Sequence, residues 1–440
     1  MKLSGWGRYP VINAPMHTPR DSDDVVKLVQ FGDVIARGNG RAYGDSAVGS
    51  SNTIHMKHFN RILAFDDASG QLVAEAGVLL ADIINTFLPR GRFPAVTPGT
   101  KFVTLGGMIA ADVHGKNHHK DGGFGQFVDW IEVVNAKGEV QHCSPSENSD
   151  LFNWTIGGMG LTGVILRAAF RLRPVTSAWI KQRTLVADNF EHAIELFEES
   201  LDATYSVAWI DCLQTGHHLG RSLVMLGEHA DVQDLPDQHR RKPLISPQKH
   251  KLSVPIDFPG WTLNRFTVRA FNGLYYWNGK KKPQDQLVDW DSYFYPLDAI
   301  LGWNRIYGRR GFAQFQCVIP LMHARQGLSE LLLAISQAGA GSFLAVLKRF
   351  GDQESYFSFP TKGYTLALDF PINQKTLALM AQLDEITLKH NGRFYLAKDS
   401  RMSRDVFWQS EFRAAEYCEY RASGENASMF SSVQSERLGL

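Results

Sequence analysis

The sequence predicts a two-domain α+β protein. Its 440 residues are more than one ordinary core organises. Short helices and strands alternate as far as Pro174, and beyond it longer apolar strands alternate with amphipathic helices. Glycine-rich turns gather in the first part, at strand ends.

Composition narrows the function classes. Basic and acidic side chains number 46 and 45, so the chain lacks the cationic excess of a protein that binds nucleic acid by neutralising phosphates. The local runs Lys280-Lys281-Lys282 and Arg240-Arg241-Lys242 read as solvated loops, with room beside them for anionic lipid. Cys143, Cys212, Cys317 and Cys418 are scattered without paired spacing, which fits a reducing compartment and provides no disulfide framework or zinc ribbon. The opening MKLSGWGRYP has no apolar signal-peptide core. No run of about 18 apolar residues occurs, so the expected location is the cytoplasm, at most peripheral to the inner membrane.

Along the chain, Ser22-Asp23-Asp24 announces a helix carrying Val25, Val26, Leu28 and Val29. Val34-Ile35-Ala36 is a short strand running into a glycine-rich turn. Strands are expected at 53–56 and 72–76, a helix over 79–88 that stops at Pro89, and a hairpin of 130–135 with 140–143 around Lys137-Gly138. In the second part amphipathic helices are expected at 190–201, 324–337 and 374–389, the last ended by Gly392. Between them, residues 228–297 read as a long irregular stretch, a lid or membrane-facing flap. A closing strand starts at Gly392 and carries Tyr395, Leu396, Ala397 and Lys398.

The sharpest local signal is the run from Arg37 to Ser46. Its three glycines, Gly38, Gly40 and Gly44, let successive N–H groups point into one concavity, a nest suited to phosphate or pyrophosphate. A Rossmann fingerprint would have to open a helix, but Ala47-Val48-Gly49-Ser50 leads into another strand. A second constellation supplies the helix. After Thr97-Pro98-Gly99-Thr100, the run Thr104-Leu105-Gly106-Gly107 opens a stretch of small residues whose amides can face anionic oxygens. The third turn, Gly157-Gly158-Met159-Gly160-Leu161-Thr162-Gly163, precedes the apolar strand 164–172. Each is compatible with plain packing; together they favour a large phosphorylated cofactor. His114-Gly115-Lys116-Asn117-His118-His119, with Asp112, is open to a metal reading. Gly115 discourages helix there and no glutamate base accompanies it, so polar contacts to a cofactor ring and an anionic substrate weigh more.

In this order and spacing the turns resemble the FAD-binding domain of the vanillyl-alcohol oxidase (p-cresol methylhydroxylase, PCMH) family. The matching motifs are GWGR (5–8), RAYGD (41–45), PGT (98–100), HGKNHH (114–119), GGMGLTG (157–163), FYPLD (294–298), FAQFQCVIP (312–320) and FYLAKDSR (394–401). HGKNHH and YLAKDSR point to its branch acting on polyprenyl-phosphate ribose. The resemblance implies a PCMH-type fold: an FAD-binding domain in 1–176, an antiparallel-sheet substrate domain in 177–392, and 393–440 returning to the first. It implies FAD contacts from Ala36, Arg37, Gly38, Asn39, Gly40, Arg41, Ala42, Tyr43, Gly44, Asp45 and Ser46. Gly99, Thr104, Leu105, Gly106, Gly107, Ala111, Asp112, Val113, His114, Ile165 and Tyr395 complete that set. Many relatives attach FAD through a histidine where Arg41 stands here. Arginine cannot form that bond, so FAD is expected to be held non-covalently.

On the substrate side the resemblance implies Tyr43, His114, Lys116, Gln314, Gln316 and Lys348, with Lys398 catalytic. Strand alternation puts Gln314 and Gln316 on one face, as a grip for sugar hydroxyls or as two satisfied core amides. Lys348 and Lys398 stand beside apolar strand residues, where an ammonium needs an anionic partner or must snorkel out. By the same resemblance, a mycobacterial member of this branch carries cysteine at the position of Ala367. The implied activity is FAD-dependent oxidation of the 2′-hydroxyl of polyprenyl-phosphate ribose to the 2′-keto sugar, the first half of epimerisation to arabinose. An NAD-dependent short-chain reductase is the expected partner, with dioxygen or a quinone as electron acceptor. An alditol- or aldonolactone-type sugar oxidase, a non-catalytic flavin-binding protein and a metal protein built on HGKNHH remain open alternatives.

Overall fold

The computed structural model describes residues 1–247, 252–260, 262–342, 344–423 and 429–440. It is a mixed helix–sheet structure in which the larger sheets are antiparallel. Near the N-terminus Met16–His17, Asn52–His55 and Val34–Arg37 form a parallel three-stranded sheet with Asn52–His55 central. The Ser22–Gln30 helix crosses over it and buries Val25 and Val29. Its cap is Asp21, whose carboxylate accepts from the Asp24 amide at 2.9 Å, one residue ahead of the expected start.

A six-stranded antiparallel sheet follows, built around the long Val164–Pro174 strand. The hairpin Val128–Val134/Val140–Cys143 turns at Gly138, φ 78°, as read. The neighbouring strand Ile62–Asp66 escaped the sequence reading because no residue in it is buried, so no alternation marks it. The Leu80–Phe87 helix ends ahead of Pro89, as expected. Leu88–Arg90 adds a 3₁₀ turn with Pro89 where no amide is needed, and Gly91, φ 74°, ends it.

The largest sheet has eight strands, in the order Asp285–Asp289, Trp179–Ala187, Ser222–His229, Tyr205–Ile210, Ala345–Phe350, Gly363–Pro371, Phe312–Pro320, Arg393–Phe394. One face is covered by the helices Phe190–Glu199, Leu321–Ala338 and Gln374–Lys389, whose apolar sides join Ile210, Phe315, Leu347 and Leu366 in one core. The opposite face is left for the cavity described below. Gln374–Lys389 has the expected bounds, but the chain leaves it through Asn391, φ 54°, and not through Gly392.

The described residues of 228–297 are irregular only in the first half, as far as Asn264. They contain the Arg265–Lys281 helix, the Asp285–Asp289 edge strand and the Trp290–Phe294 helix, while 248–251 and 261 lie outside the described residues. The helix start is set by Asn264, which accepts from the Thr267 amide while Thr267 caps it in return. Its interior mixes Gly273, Gly279 and aromatic residues on more than one side, which hides the period. Lys280 and Lys281 therefore sit in its last turn rather than in a loop. No helix among the described residues is long and apolar enough to cross a membrane.

The closing strand is also shorter than expected. After Arg393–Phe394 the chain turns, with the Lys398 amide donating to the Tyr395 carbonyl at 2.9 Å. The Asp399 carboxylate accepts from the Arg401 and Met402 amides and fixes that turn. The C-terminus then runs back to the first sheet, where Ser431 donates to the Val34 carbonyl at 3.1 Å. Arg437 locks the arrangement by pairing with Asp45 at 2.9 Å and Asp399 at 2.8 Å, both carboxylates being buried. Removing one partner from such a cluster strands buried charge. Arg437→Met is expected to lower unfolding free energy by about 3 kcal/mol or more, and Asp45→Asn in the same chain should recover part of it. Denaturant unfolding of the single and double variants checks this.

Candidate active site

A large cavity lies between the open face of the eight-stranded sheet and the glycine turns of the first part. Its floor follows from strand register. Gln316 is opposite Ala367, Ala367 opposite Val346, and Val346 opposite Trp209, so these side chains form one row across four strands. Lys348 and Thr365 oppose each other in the next row and also face the cavity. Its roof is the Gly38–Ala42 loop, Gly99, and the small residues Ala110 and Ala111.

The roof is held from several sides. The N-terminal GWGR segment runs beside the loop, with the Trp6 amide donating to the Ala42 carbonyl at 2.8 Å and the Gly7 amide to the Tyr43 carbonyl at 2.9 Å. The Tyr43 amide donates to the Ala397 carbonyl at 2.9 Å, which ties the loop to the lysine turn. Arg41 stacks its guanidinium 4.1 Å from the centre of the Trp6 ring. The third glycine turn is stitched to the Leu105–Ala110 helix by Gly157 donating to Ile109 and Met159 donating to Ala110.

Lys116, Lys348 and Lys398 all face the cavity from deep positions, and among the described residues none forms an ion pair. Burial lowers Lys116 to about 7 and Lys348 to about 8. Lys398 is also lowered by burial; Asp369 pulls it back up and Lys348 pushes it further down. Asp369 is shifted the opposite way, upward by burial. Lys398 Nζ rests 3.6 Å from the centre of the Tyr43 ring, and burial keeps Tyr43 a neutral phenol. Lys116 donates to the Tyr293 carbonyl and lies 4.0 Å from the centre of that tyrosine's ring.

The glutamines are partly engaged by the protein itself. Gln314 donates to Asp369 at 2.6 Å; Gln316 donates to Thr365 at 3.2 Å and meets His114 Nε2 at 3.1 Å. With its amide as donor, His114 accepts at Nε2 and carries its proton on Nδ1, which has no hydrogen-bond partner among the described residues. Burial drives His114 well below its ordinary value, so the ring is neutral. His118 and His119 turn elsewhere, to Gln353 and the Ala203 carbonyl, both at 2.7 Å.

The structure brings to one cavity Ala36, Gly38, Asn39, Gly40, Arg41, Ala42, Tyr43, Ser46, Gly99, Thr104, Gly106, Gly107, Ala111, Val113, His114, Ile165 and Tyr395. The expected substrate-side residues and Lys398 join them. Arg37, Gly44, Asp45, Leu105 and Asp112 stand behind the wall. Arg37 donates to the Ser4 and Ala47 carbonyls, and Asp45 pairs with Arg437. Leu105 is core, and Asp112 accepts from the Gly125 amide and Gln353. At Gly44 an added Cβ would lie 2.0 Å from the Asp399 carbonyl. The first amides of the Leu105–Ala110 helix are committed as well: Leu105 donates to Val78 and Gly106 to Ala76. They do not present the free N–H array expected there. Trp6, Trp209, Tyr275, Leu297, Gly160 and Gly163 line the cavity without having been singled out. Gly160 and Gly163 carried a signal as part of the third turn, Trp6 and Leu297 as part of the GWGR and FYPLD motifs, and Trp209 and Tyr275 none.

Comparison with known proteins fits this geometry. The FAD binding domain family matches residues 15–144. Decaprenylphosphoryl-beta-D-ribose oxidase of Mycolicibacterium smegmatis is 35% identical over 450 aligned residues, covering 100% of this chain and 97% of its own. An uncharacterized protein from the mprA 5′ region of Streptomyces coelicolor is 30% identical over 82% of this chain and 100% of its own length. L-gulonolactone oxidase of Mus musculus is 30% identical over only 38% of this chain and 36% of its own.

The residues present suit FAD. Among the described residues the amides of 38–42 donate to no protein acceptor, and all belong to cavity-lining residues. A Cβ added at Gly99 would meet nothing within 4 Å, so the backbone there is bare toward the cavity, whereas one at Gly38 would fall 2.1 Å from Thr104 Oγ1. Gly38→Ala is thus expected to destabilise the protein by about 1–3 kcal/mol. Gly99→Ala should leave the melting transition within about 0.5 kcal/mol of the parent. Both should weaken FAD binding, by about tenfold or more. Melting curves and flavin titration of the apoprotein separate the two effects.

Proposed function

Because the chain belongs to the family of FAD-dependent oxidoreductases that includes decaprenylphosphoryl-beta-D-ribose oxidase, we propose that it oxidises the 2′-hydroxyl of a polyprenyl-phosphate ribose to the 2′-keto sugar. The observation that carries this reading is the set of lysines, Lys116, Lys348 and Lys398, around a cavity whose walls offer them no ion pair. A neutral sugar alone gives such a set nothing to neutralise; a sugar phosphate beside a flavin does. The similarity to L-gulonolactone oxidase extends over only 38% of the chain, whereas that to the ribose oxidase spans all of it.

In this reading residues of the 36–46 loop, Gly99, Thr104, Gly106, Gly107 and Ile165 hold FAD, without a covalent bond because Arg41 stands at the linkage position. FAD supplies the acceptor for a hydride from the 2′-carbon. Lys398, in the neutral form that burial favours, accepts the proton of the 2′-hydroxyl as that hydride leaves. Tyr43 supports Lys398 from below through its ring face. Gln314 and Gln316, their amide nitrogens already engaged, offer carbonyl oxygens to sugar hydroxyls. Lys116 and Lys348 hold the phosphate. The units behind this division of labour are 1–176 with 393–440 for FAD and 177–392 for substrate. An NAD-dependent short-chain reductase would complete an epimerisation, and dioxygen or a quinone would reoxidise the enzyme.

Anaerobic mixing of the holoprotein with polyprenylphosphoryl ribose tests the proposal. The flavin absorbance should bleach, and far less with gulonolactone or free alditols. Lys398→Ala should keep its flavin yet bleach about a hundredfold more slowly or worse. Equal bleaching by lactones, or an unchanged rate in the variant, would remove the assignment.

A further inference from the structure

The Arg265–Lys281 helix is apolar on two opposite sides. Val268, Asn272 and Tyr276 form the buried side, where Asn272 donates to Asp211 at 2.9 Å and Tyr276 to Asp188 at 3.1 Å. Phe266, Ala270, Leu274 and Trp277 recur at helical spacing about half a turn away from that stripe. There Phe266 is 83% exposed, Leu274 58% and Trp277 51%.

The charge around this stripe has one sign. Arg265, Arg269, Lys280, Lys281 and Lys282 fall in residues 265–284, which contain no aspartate or glutamate, although the whole chain nets only +1. Lys281 lies 3.4 Å from the centre of the Trp277 ring, an ammonium beside an interfacial aromatic. The same helix also borders the cavity, on a different side. Tyr275, about 100° round the helix from Leu274, lines the cavity wall against Trp209, ring centres 4.7 Å apart.

We propose that this helix docks flat on an anionic lipid bilayer, with Phe266, Leu274 and Trp277 among the upper acyl chains and the flanking cations on lipid phosphates. An outward apolar stripe with cationic flanks is the pattern of an interfacial helix, and this one is not long and apolar enough to span. Pairing with the same helix of a second copy would set its cations against like charges. Docking would hold at the membrane a helix that also borders the cavity through Tyr275. The inference rests on surface chemistry alone and does not depend on which sugar is oxidised.

Sedimentation of the holoprotein with vesicles tests it. Vesicles of equal parts phosphatidylglycerol and phosphatidylcholine should carry the protein down, less so in high salt, and pure phosphatidylcholine should not. The triple variant Phe266→Ser, Leu274→Ser, Trp277→Ser should bind about tenfold more weakly or worse, with flavin content and melting retained. Lys280→Glu with Lys281→Glu reads the charge arm separately and should weaken binding to the phosphatidylglycerol vesicles alone. Failure of the parent to sediment, full binding by both variants, or a dimer dissolved by the triple variant without any vesicle binding would overturn the proposal.

Discussion

Lys116, Lys348 and Lys398 meet in a cavity lined mainly by apolar and backbone surface, and none has an ion-pair partner among the described residues. Taking an ammonium out of water costs several kcal/mol when nothing of opposite charge replaces the hydration. Proteins retain such groups where a ligand completes them, or let them lose their protons. Here both tendencies are visible: burial lowers all three, and Asp369 acts against it only at Lys398. The rest of the structure can be understood as the scaffold that aims these groups at one space, with Asp369 near Lys398 but not paired with it.

That scaffold works through register and clamping. A one-residue slip of the Ala345–Phe350 strand would turn Lys348 and Val346 into the helix-covered core and bring Leu347 into the cavity. The lysine turn at 395–398 belongs to the C-terminal part of the chain, yet its Ala397 carbonyl receives the Tyr43 amide of the glycine loop. Arg437 fastens both sides at Asp45 and Asp399. The first sheet, the great sheet and the last helices therefore share the wall of one site, and their cores interleave: Ile35 and Trp154 pack in the cluster of the second part, and Trp290 to Tyr295 in that of the first.

The site was more legible in the sequence than the elements that carry it. Glycines at 38, 40 and 99 announce bare backbone in any context, and alternation alone places Gln314 and Gln316 on one face. Lysines beside apolar strand residues are conspicuous without coordinates. Other features depend on partners distant in the chain. Arg37 and Asp45 stand in the glycine-rich run as expected FAD contacts but serve the protein, the first through Ser4 and Ala47, the second through Arg437. The committed amides of Leu105 and Gly106 follow from strands that only the fold brings near. The Arg265–Lys281 helix was hidden because its apolar residues lie on two sides, one for the core and one for the outside, which leaves no single stripe to read. Trp209 and Tyr275 reach the cavity from separate elements, and nothing local marks them.

The most direct test of the lysine account is the pH dependence of ligand affinity in the holoprotein. Lys116 and Lys348 are charged below about 7 and about 8 respectively, and a bound anion raises both values. Affinity for an anion must then fall as pH rises through that window, because each neutral lysine has to take up a proton on binding. Dissociation constants for polyprenylphosphoryl ribose and for its uncharged polyprenyl glycoside, read by flavin fluorescence from about pH 6 to about pH 9, give the answer. The account predicts that the phosphorylated ligand binds far more tightly at the acid end and weakens by about tenfold or more toward the alkaline end, while the uncharged one stays flat. Parallel curves for the two ligands would contradict it.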